Sequence, residues 1–520
     1  MRSFIKCVVL SFLFLSLGVP VDVQGSPSSL YESEIVKLAT ENYLSSAPDE
    51  KIYRFDKNTV IKKGEEYLGH ILVIKGNLAI RGKVKGDVLV IKGDVHVYNT
   101  GYVEGNITAV DGKIHVYDNG KVYGEMLETH VENLLGKNRK FTRKFKQALF
   151  NHKLGTVSFG DHGSDFMFKY NRVEGMFLGI NFPKDFIPEY GRYSTYGFIG
   201  YGFKSKDMRF QLNMDRWFFD PYEYRFEIGA EVHSLTDTKD DWRLSVIENN
   251  LSALLFKEDF FDYFERKGFS FYLSQYYTPF FKIKLAYRND EYKSLTNNAN
   301  WAFFGKNKVF RPNQLITGYE GNMHSIYGEV IYDNRDEIDF TTTGWLAHFS
   351  VEFASSRLGG CFNFNRYLME IRHYWPLVTG ENLNFRLMVG SSEGDLPIQK
   401  NFELGGISTL RGYPYKIFSG NSMVLINIEY RVHPRIISSQ IPFIGSAFSL
   451  IFFTDFGKVW ETPVDYDLLD RLKMFRLTSI KNDVGLAIAH PEGKYRLNIA
   501  KRIDSSDKDI VVTLRISQPF

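Results

Sequence analysis

Residues 509–520 read DIVVTLRISQPF and alternate strictly: Ile510, Val512, Leu514, Ile516 and Phe520 share one face, Val511, Thr513, Arg515 and Ser517 the other. A period of two is a strand. The arginine requires water on its face, because a lipid-facing Arg at the bilayer midplane costs about 2–4 kcal/mol. Residues 495–502 repeat the pattern, with Tyr495, Leu497 and Ile499 opposite Arg496, Asn498 and Arg502. So do residues 422–432, with Val424, Ile426, Ile428, Tyr430 and Val432 opposite Asn427, Glu429 and Arg431. Apolar outside and wet inside is the pattern of a transmembrane β-barrel, which hydropathy misses because only alternate residues touch lipid. Aromatics fit it, at 16% of the 520 residues with 31 Tyr and 45 Phe. A soluble β-sandwich would need a dry inner face and gives no reason for inward arginines.

Arg2 and Lys6 precede an apolar run at residues 8–19, and Val23-Gln24-Gly25 carries small residues where a signal peptidase reads. Residues 1–25 are therefore expected to be a secretory signal peptide cut after Gly25. The run falls short of the ~20 residues of a membrane-spanning helix. Cys7 leaves with the leader, so Cys361 is the one cysteine expected in the exported chain and an internal disulfide is excluded. A net charge of +3 gives no nucleic-acid signal.

After a polar segment at residues 26–60 comes an internal repeat. Aligned by glycines, its units are GHILVIKGNLAIRGKVK (69–85), GDVLVIKGDVHVYNTGYVE (86–104) and GNITAVDGKIHVYDNGKVY (105–123), and Gly124 restarts the unit. Short β-branched strands alternate with Gly, Asn and Asp turns. One unit cannot bury its apolar face alone, and stacking makes the core. The reading is a short parallel β-helix over residues 61–126, with three coils. It resembles the repeat of bactofilins. His96 and Tyr98 align with His115 and Tyr117 on the outward face. Two histidines without a carboxylate in register make a solvent-facing ladder rather than a metal site. Residues 127–154 read as a basic linker helix. Its KNRKFTRKFK run (137–146) is either a solvated helix face or a contact for anionic headgroups.

Residues 155–520 suffice for sixteen strands of about 10 residues with turns and longer outer loops. The fold class is all-β: an antiparallel transmembrane barrel, with 16 strands expected, preceded by the parallel β-helix. Residues 236–265 interrupt the strand pattern with apolar residues at helical spacing, including Leu251, Leu254, Leu255, Phe260, Phe261 and Phe264. They predict a helical excursion, either an outer cap or an inward lid.

The stretch LGGISTLRGYPYKIFSGNSMVLINIEYRV (404–432) resembles the surface-antigen barrel of the BamA/TamA outer-membrane assembly family, whose [V/L]-R-G-[F/Y] motif sits on a loop folded back into the barrel. Here the motif is Leu410-Arg411-Gly412-Tyr413, preceded by Gly405 and Gly406. Phe453, Asp455 and Gly457 form a second family-like element, in a strand continuing to Val459 and Trp460. IYDNRD (331–336) with Gly344-Trp345, and YNRVEGMFLGI (170–180) at the first strand, extend the resemblance over residues 155–520. In this reading Gly405 and Gly406 turn the loop, Gly412 lets its tip approach closely, and Arg411 reaches a lumenal carboxylate. Asp455 is the leading candidate, because it shares strand parity with Ser449 and Ala447. Tyr413 packs beside the arginine. The terminal Phe520 resembles the assembly signal of outer-membrane barrels.

The resemblance implies an outer-membrane protein of a Gram-negative bacterium, its N-terminal region periplasmic. It implies a plugged lumen, a weak seam between first and last strands, and a role in outer-membrane protein assembly or translocation. A passive pore is one alternative. A structural anchor whose β-helix docks a periplasmic partner is another. Expected partners are outer-membrane lipid, the assembly machinery for the chain's own insertion and a periplasmic protein on the β-helix, with no nucleic acid. No catalytic residue, cofactor or metal is assigned, and the chain is read as non-enzymatic. One departure stands out: inserting members of the family carry POTRA domains of about βααββ, and no such pattern precedes residue 155.

Overall fold

The computed structural model describes residues 36, 39–44, 51–129 and 165–516, apart from 183, 185–191, 221–223, 279, 336–340, 378–380, 433–447, 475, 477–478, 492, 494 and 505–508. The expected signal peptide, the basic run at 137–146 and Phe520 lie outside the described residues. The chain divides into two compact units, Met1–Arg143 and Lys144–Phe520.

In the first unit, strands from Ile52 to Thr129 form three parallel sheets of five, four and four strands. Inward Ile71, Val73, Leu78, Ile80, Val90 and Val97 are fully buried. The repeat's glycines stand where turns touch. A Cβ on Gly69 would lie 2.2 Å from the Lys51 carbonyl oxygen, and one on Gly86 2.5 Å from that of Gly69. Side chains at the corners bind the next turn: Asn77 N–H donates to Asn58 Oδ1, and Asp94 N–H to Asn77 Oδ1, at 2.8 and 2.9 Å.

The solenoid has one turn more than the glycine alignment found. The strands Ile52–Phe55, Thr59–Ile61 and Glu66–Tyr67 precede Gly69. Their register sets Lys51, Lys57 and Glu65 opposite Gly69, Gly76 and Gly82. Among the described residues no turn lies beneath this first one, so its corners tolerate side chains and lose the glycine signature. The imidazoles of His96 and His115 stack at 5.0 Å, and the rings of Tyr98 and Tyr117 at 4.8 Å. No group of three or more potential metal ligands occurs among the described residues.

The second unit is one 16-stranded antiparallel sheet, as expected. Its strands are β1 (Asp165–Asn171), β2 (Gly175–Phe182), β3 (Tyr193–Gly202), β4 (Asp207–Asp220), β5 (Tyr224–Thr238), β6 (Tyr263–Thr278), β7 (Phe281–Ser294) and β8 (Gly321–Asp333). They continue with β9 (Gly344–Ala354), β10 (Phe364–Pro376), β11 (Glu381–Gly394), β12 (Ser422–Val432), β13 (Ser449–Trp460), β14 (Lys481–Ala489), β15 (Tyr495–Arg502) and β16 (Ile510–Ile516). The two faces invert a soluble protein. Phe166, Leu212, Phe271, Leu285, Phe452 and Leu514 are exposed, while Arg209, Arg225, Glu352, Arg386, Glu429 and Asp455 are buried. An apolar belt of this kind is stable only against lipid.

YNRVEGMFLGI spans the first hairpin rather than one strand, with Gly175 turning into β2 at φ +65. The helical excursion is shorter than its apolar spacing predicts. Helix α1 covers Val246–Phe256, and its N-cap Ser245 accepts from Glu248 N–H. Phe264 instead pairs with Asp237 as β5 and β6 extend past the expected boundary. Strand pairing wins there over helical spacing, since it satisfies backbone groups on both sides.

Candidate functional site

The connection between β11 and β12 turns back on itself. Phe402–Leu404 pairs with Phe418–Gly420, and Gly405 and Gly406 take φ values of +119 and +74 that L side chains rarely adopt. Gly406 N–H then donates to Leu410 O at 2.8 Å, and Gly405 N–H to Thr409 Oγ1 at 2.9 Å. This tight loop carries Leu410, Arg411 and Tyr413, all buried.

Arg411 meets Asp455 as a fork. Its Nε donates to Oδ2 at 2.7 Å and its Nη2 to Oδ1 at 2.6 Å, while its backbone N–H adds 3.1 Å to Oδ2. Nη1 donates to Glu429 Oε1 at 2.5 Å. The guanidinium lies 3.6 Å from the centroid of Phe453. Planarity and five donors let one arginine hold two carboxylates and an aromatic face together. Asp455 is also opposite Asp483 on β14, and directly opposed like charges destabilise a sheet. Arg411 and Gly412 counter this: Gly412 N–H donates to Asp483 Oδ2 at 2.9 Å.

The glycines make this approach possible. A Cβ on Gly412 would stand 2.8 Å from Asp483 Cβ, and one on Gly457 2.9 Å from Leu404 Cδ1 and 3.2 Å from Leu410 Cδ2. Tyr413 donates its hydroxyl to Asp504 Oδ1 at 2.5 Å and to Asn482 O at 3.2 Å.

Glu429, Asp483, Arg496 and Asp504 were not singled out as partners in the sequence. Strand parity put Glu429 and Arg496 inside, but two strands separate them from one another in the sheet order. Arg496 Nη2 nevertheless reaches Glu429 Oε1 at 2.8 Å. Further anchors tie the loop to the β5–β6 connection: Lys416 Nζ donates to Asp240 Oδ2 at 2.6 Å and Asp262 Oδ2 at 2.7 Å. A cavity of about 560 Å³ borders the same loop at Phe402 and Glu403 and is lined by charged groups that include Lys282, Arg288, Glu329 and Glu352. Residues 390–394, GSSEG, have the spacing of a hydrolase nucleophile elbow. Ser392 lies within strand β11, two residues before its end, instead of occupying a strand-to-helix turn, and its hydroxyl donates to Asn421 O at 3.1 Å.

Lipid-facing apolar residues around a charged interior define an outer-membrane β-barrel of a Gram-negative envelope. The Omp85 superfamily domain matches residues 199–518, and the chain belongs to that superfamily, with a barrel of the BamA/TamA type. Over 177 residues it is 27% identical to the outer membrane protein assembly factor BamA of Nitratidesulfovibrio vulgaris, a match covering 31% of this chain and 21% of that protein. The chain thus spans about a fifth of that relative's length. Among solved structures, BamA from Haemophilus ducreyi lacking POTRA domains 1–3 matches with a TM-score of 0.43 at 13% identity, over 67% of this chain and 69% of that one. CdiB from Acinetobacter baumannii matches with a TM-score of 0.35 at 10% identity, over 68% and 58%.

Proposed function

We propose that this protein promotes outer-membrane protein assembly or translocation, with the LRGY loop folded into the lumen and held there by Arg411. The observation that carries the reading is the buried fork from Arg411 to Asp455 and Glu429. A plugged lumen disfavours free solute flow and leaves the seam between β1 and β16 as the working surface. Among the described residues the ladder runs from β1 to β16 without pairing those two strands.

A bilayer thinned beside that seam would lower the barrier to inserting a new strand. An incoming strand would pair with a free edge there, a templating step that needs no catalytic residue. The solenoid would face the periplasm and receive a protein partner in place of POTRA domains.

The test is a folding assay in proteoliposomes holding the full chain, with an unfolded eight-stranded outer-membrane barrel as client. Folding at least about tenfold faster than in empty liposomes is expected. Equal rates would refute the assembly reading and favour the anchor.

A further inference from the structure

Helix α1 touches both ends of the barrel sheet. On one flank Glu248 Oε1 accepts the backbone N–H of Ile516 in β16 at 3.0 Å and Arg515 Nε at 2.9 Å. On the other flank Asn250 Oδ1 accepts the backbone N–H of Tyr170 in β1 at 3.4 Å, and its Nδ2 donates to Phe168 O at 3.5 Å. Residues two apart on a helix point to nearly opposite sides, so one turn can serve two edges. The edge groups are those a neighbouring strand would take. In an antiparallel ladder successive residues bond to opposite sides, so Phe168 and Tyr170, two apart, share a side.

The helix has further anchors. Its Ala253 packs with Tyr170 and Phe310, and Leu254 lies against this cluster. Asn249 Nδ2 donates to Asp259 Oδ1 at 2.9 Å, and the last-turn carbonyls of Leu254 and Leu255 accept Phe303 and Phe304 N–H. Arg515 also donates to Ser408 Oγ at 2.8 Å, so helix, last strand and LRGY loop meet at one residue.

We infer that α1 is a resident latch of the seam: its Asn250 and Glu248 occupy the edges of β1 and β16 that an incoming strand must pair with. This rests on the assembly reading for its purpose, but not for its geometry. The occupant to be displaced belongs to this chain, and the competing ligand is an extended, amphipathic β-strand.

The experiment is amide hydrogen exchange of the full chain in lipid nanodiscs, comparing wild type with Asn250→Ala and Glu248→Gln. Asn250→Ala should speed exchange at Tyr170 about tenfold, and Glu248→Gln should speed it at Ile516, with β8 and β9 unchanged as proof of folding. Unchanged exchange at both amides in both variants overturns the latch. Faster exchange across β8 and β9 as well would also overturn it, by making α1 a general support of the barrel. The same variants enter the client-folding assay. Faster client folding than wild type supports a gating latch. If exchange quickens while no form, wild type included, folds the client, the assembly reading fails and the latch stands.

Discussion

Replacing Arg411 by Ala tests the anchored loop most directly. The change removes one buried cation and leaves Asp455 and Glu429, both with fully buried side chains, short of a partner. Breaking a buried pair by deleting one member costs about 3–5 kcal/mol. At 1.4 kcal/mol per decade, the ratio of undocked to docked loop should rise by roughly 10² to 10³·⁵. Gly412 on Asp483, Tyr413 on Asp504 and Asn427 on the Thr409 carbonyl remain, so the loop leaves more often without being lost. Single-channel recording in planar bilayers reads this. Wild type should give small, flickering currents, and Arg411→Ala large openings at least about a hundredfold more frequent. Asp455→Ala should open the channel too, and the double variant should cost less than the sum, because both charges of one pair are removed together. Large, steady wild-type currents indifferent to Arg411→Ala, or strictly additive effects, would refute the reasoning.

Gly412→Ala keeps every charge but drives a Cβ to 2.8 Å from Asp483 Cβ, and should open the channel nearly as often as Arg411→Ala in the same recordings. Gly86→Ala places a Cβ 2.5 Å from the Gly69 carbonyl. It should loosen the solenoid by about 1–3 kcal/mol, seen as proteolysis within residues 52–129 while the barrel stays intact. Leu514→Arg puts a charge on the lipid face of β16 and should weaken folding into bilayers by up to about 2–4 kcal/mol in urea titrations, less if the residue sits near an interface.

Much of the barrel was legible because lipid and lumen impose alternation. Residues 422–432, 495–502 and 510–516 each alternate along the strand between a more exposed, mostly apolar set and a more buried set that holds Asn427, Glu429, Arg496, Asn498 and Arg515. Asp455 could be reached by parity, since that needs only one strand. Glu429 with Arg496, or Lys416 with Asp240, could not be, because their meeting depends on loop paths and barrel curvature that no local period encodes. α1 was visible as helical spacing, but its edge contacts depend on polar residues at 248 and 250, whose pattern resembles any exposed helix face. The first solenoid turn was missed for a steric reason: glycine marks a turn with another below it, and among the described residues none lies below that turn.

That same substitution gives the solenoid a direction. A second stack laid in register against the first turn would meet the Cβ atoms of Lys51, Lys57 and Glu65 where every later interface presents hydrogen. Those three side chains act as a steric end-stop that also carries charge. Head-to-tail addition of a second stack in that register therefore meets a steric block at this face.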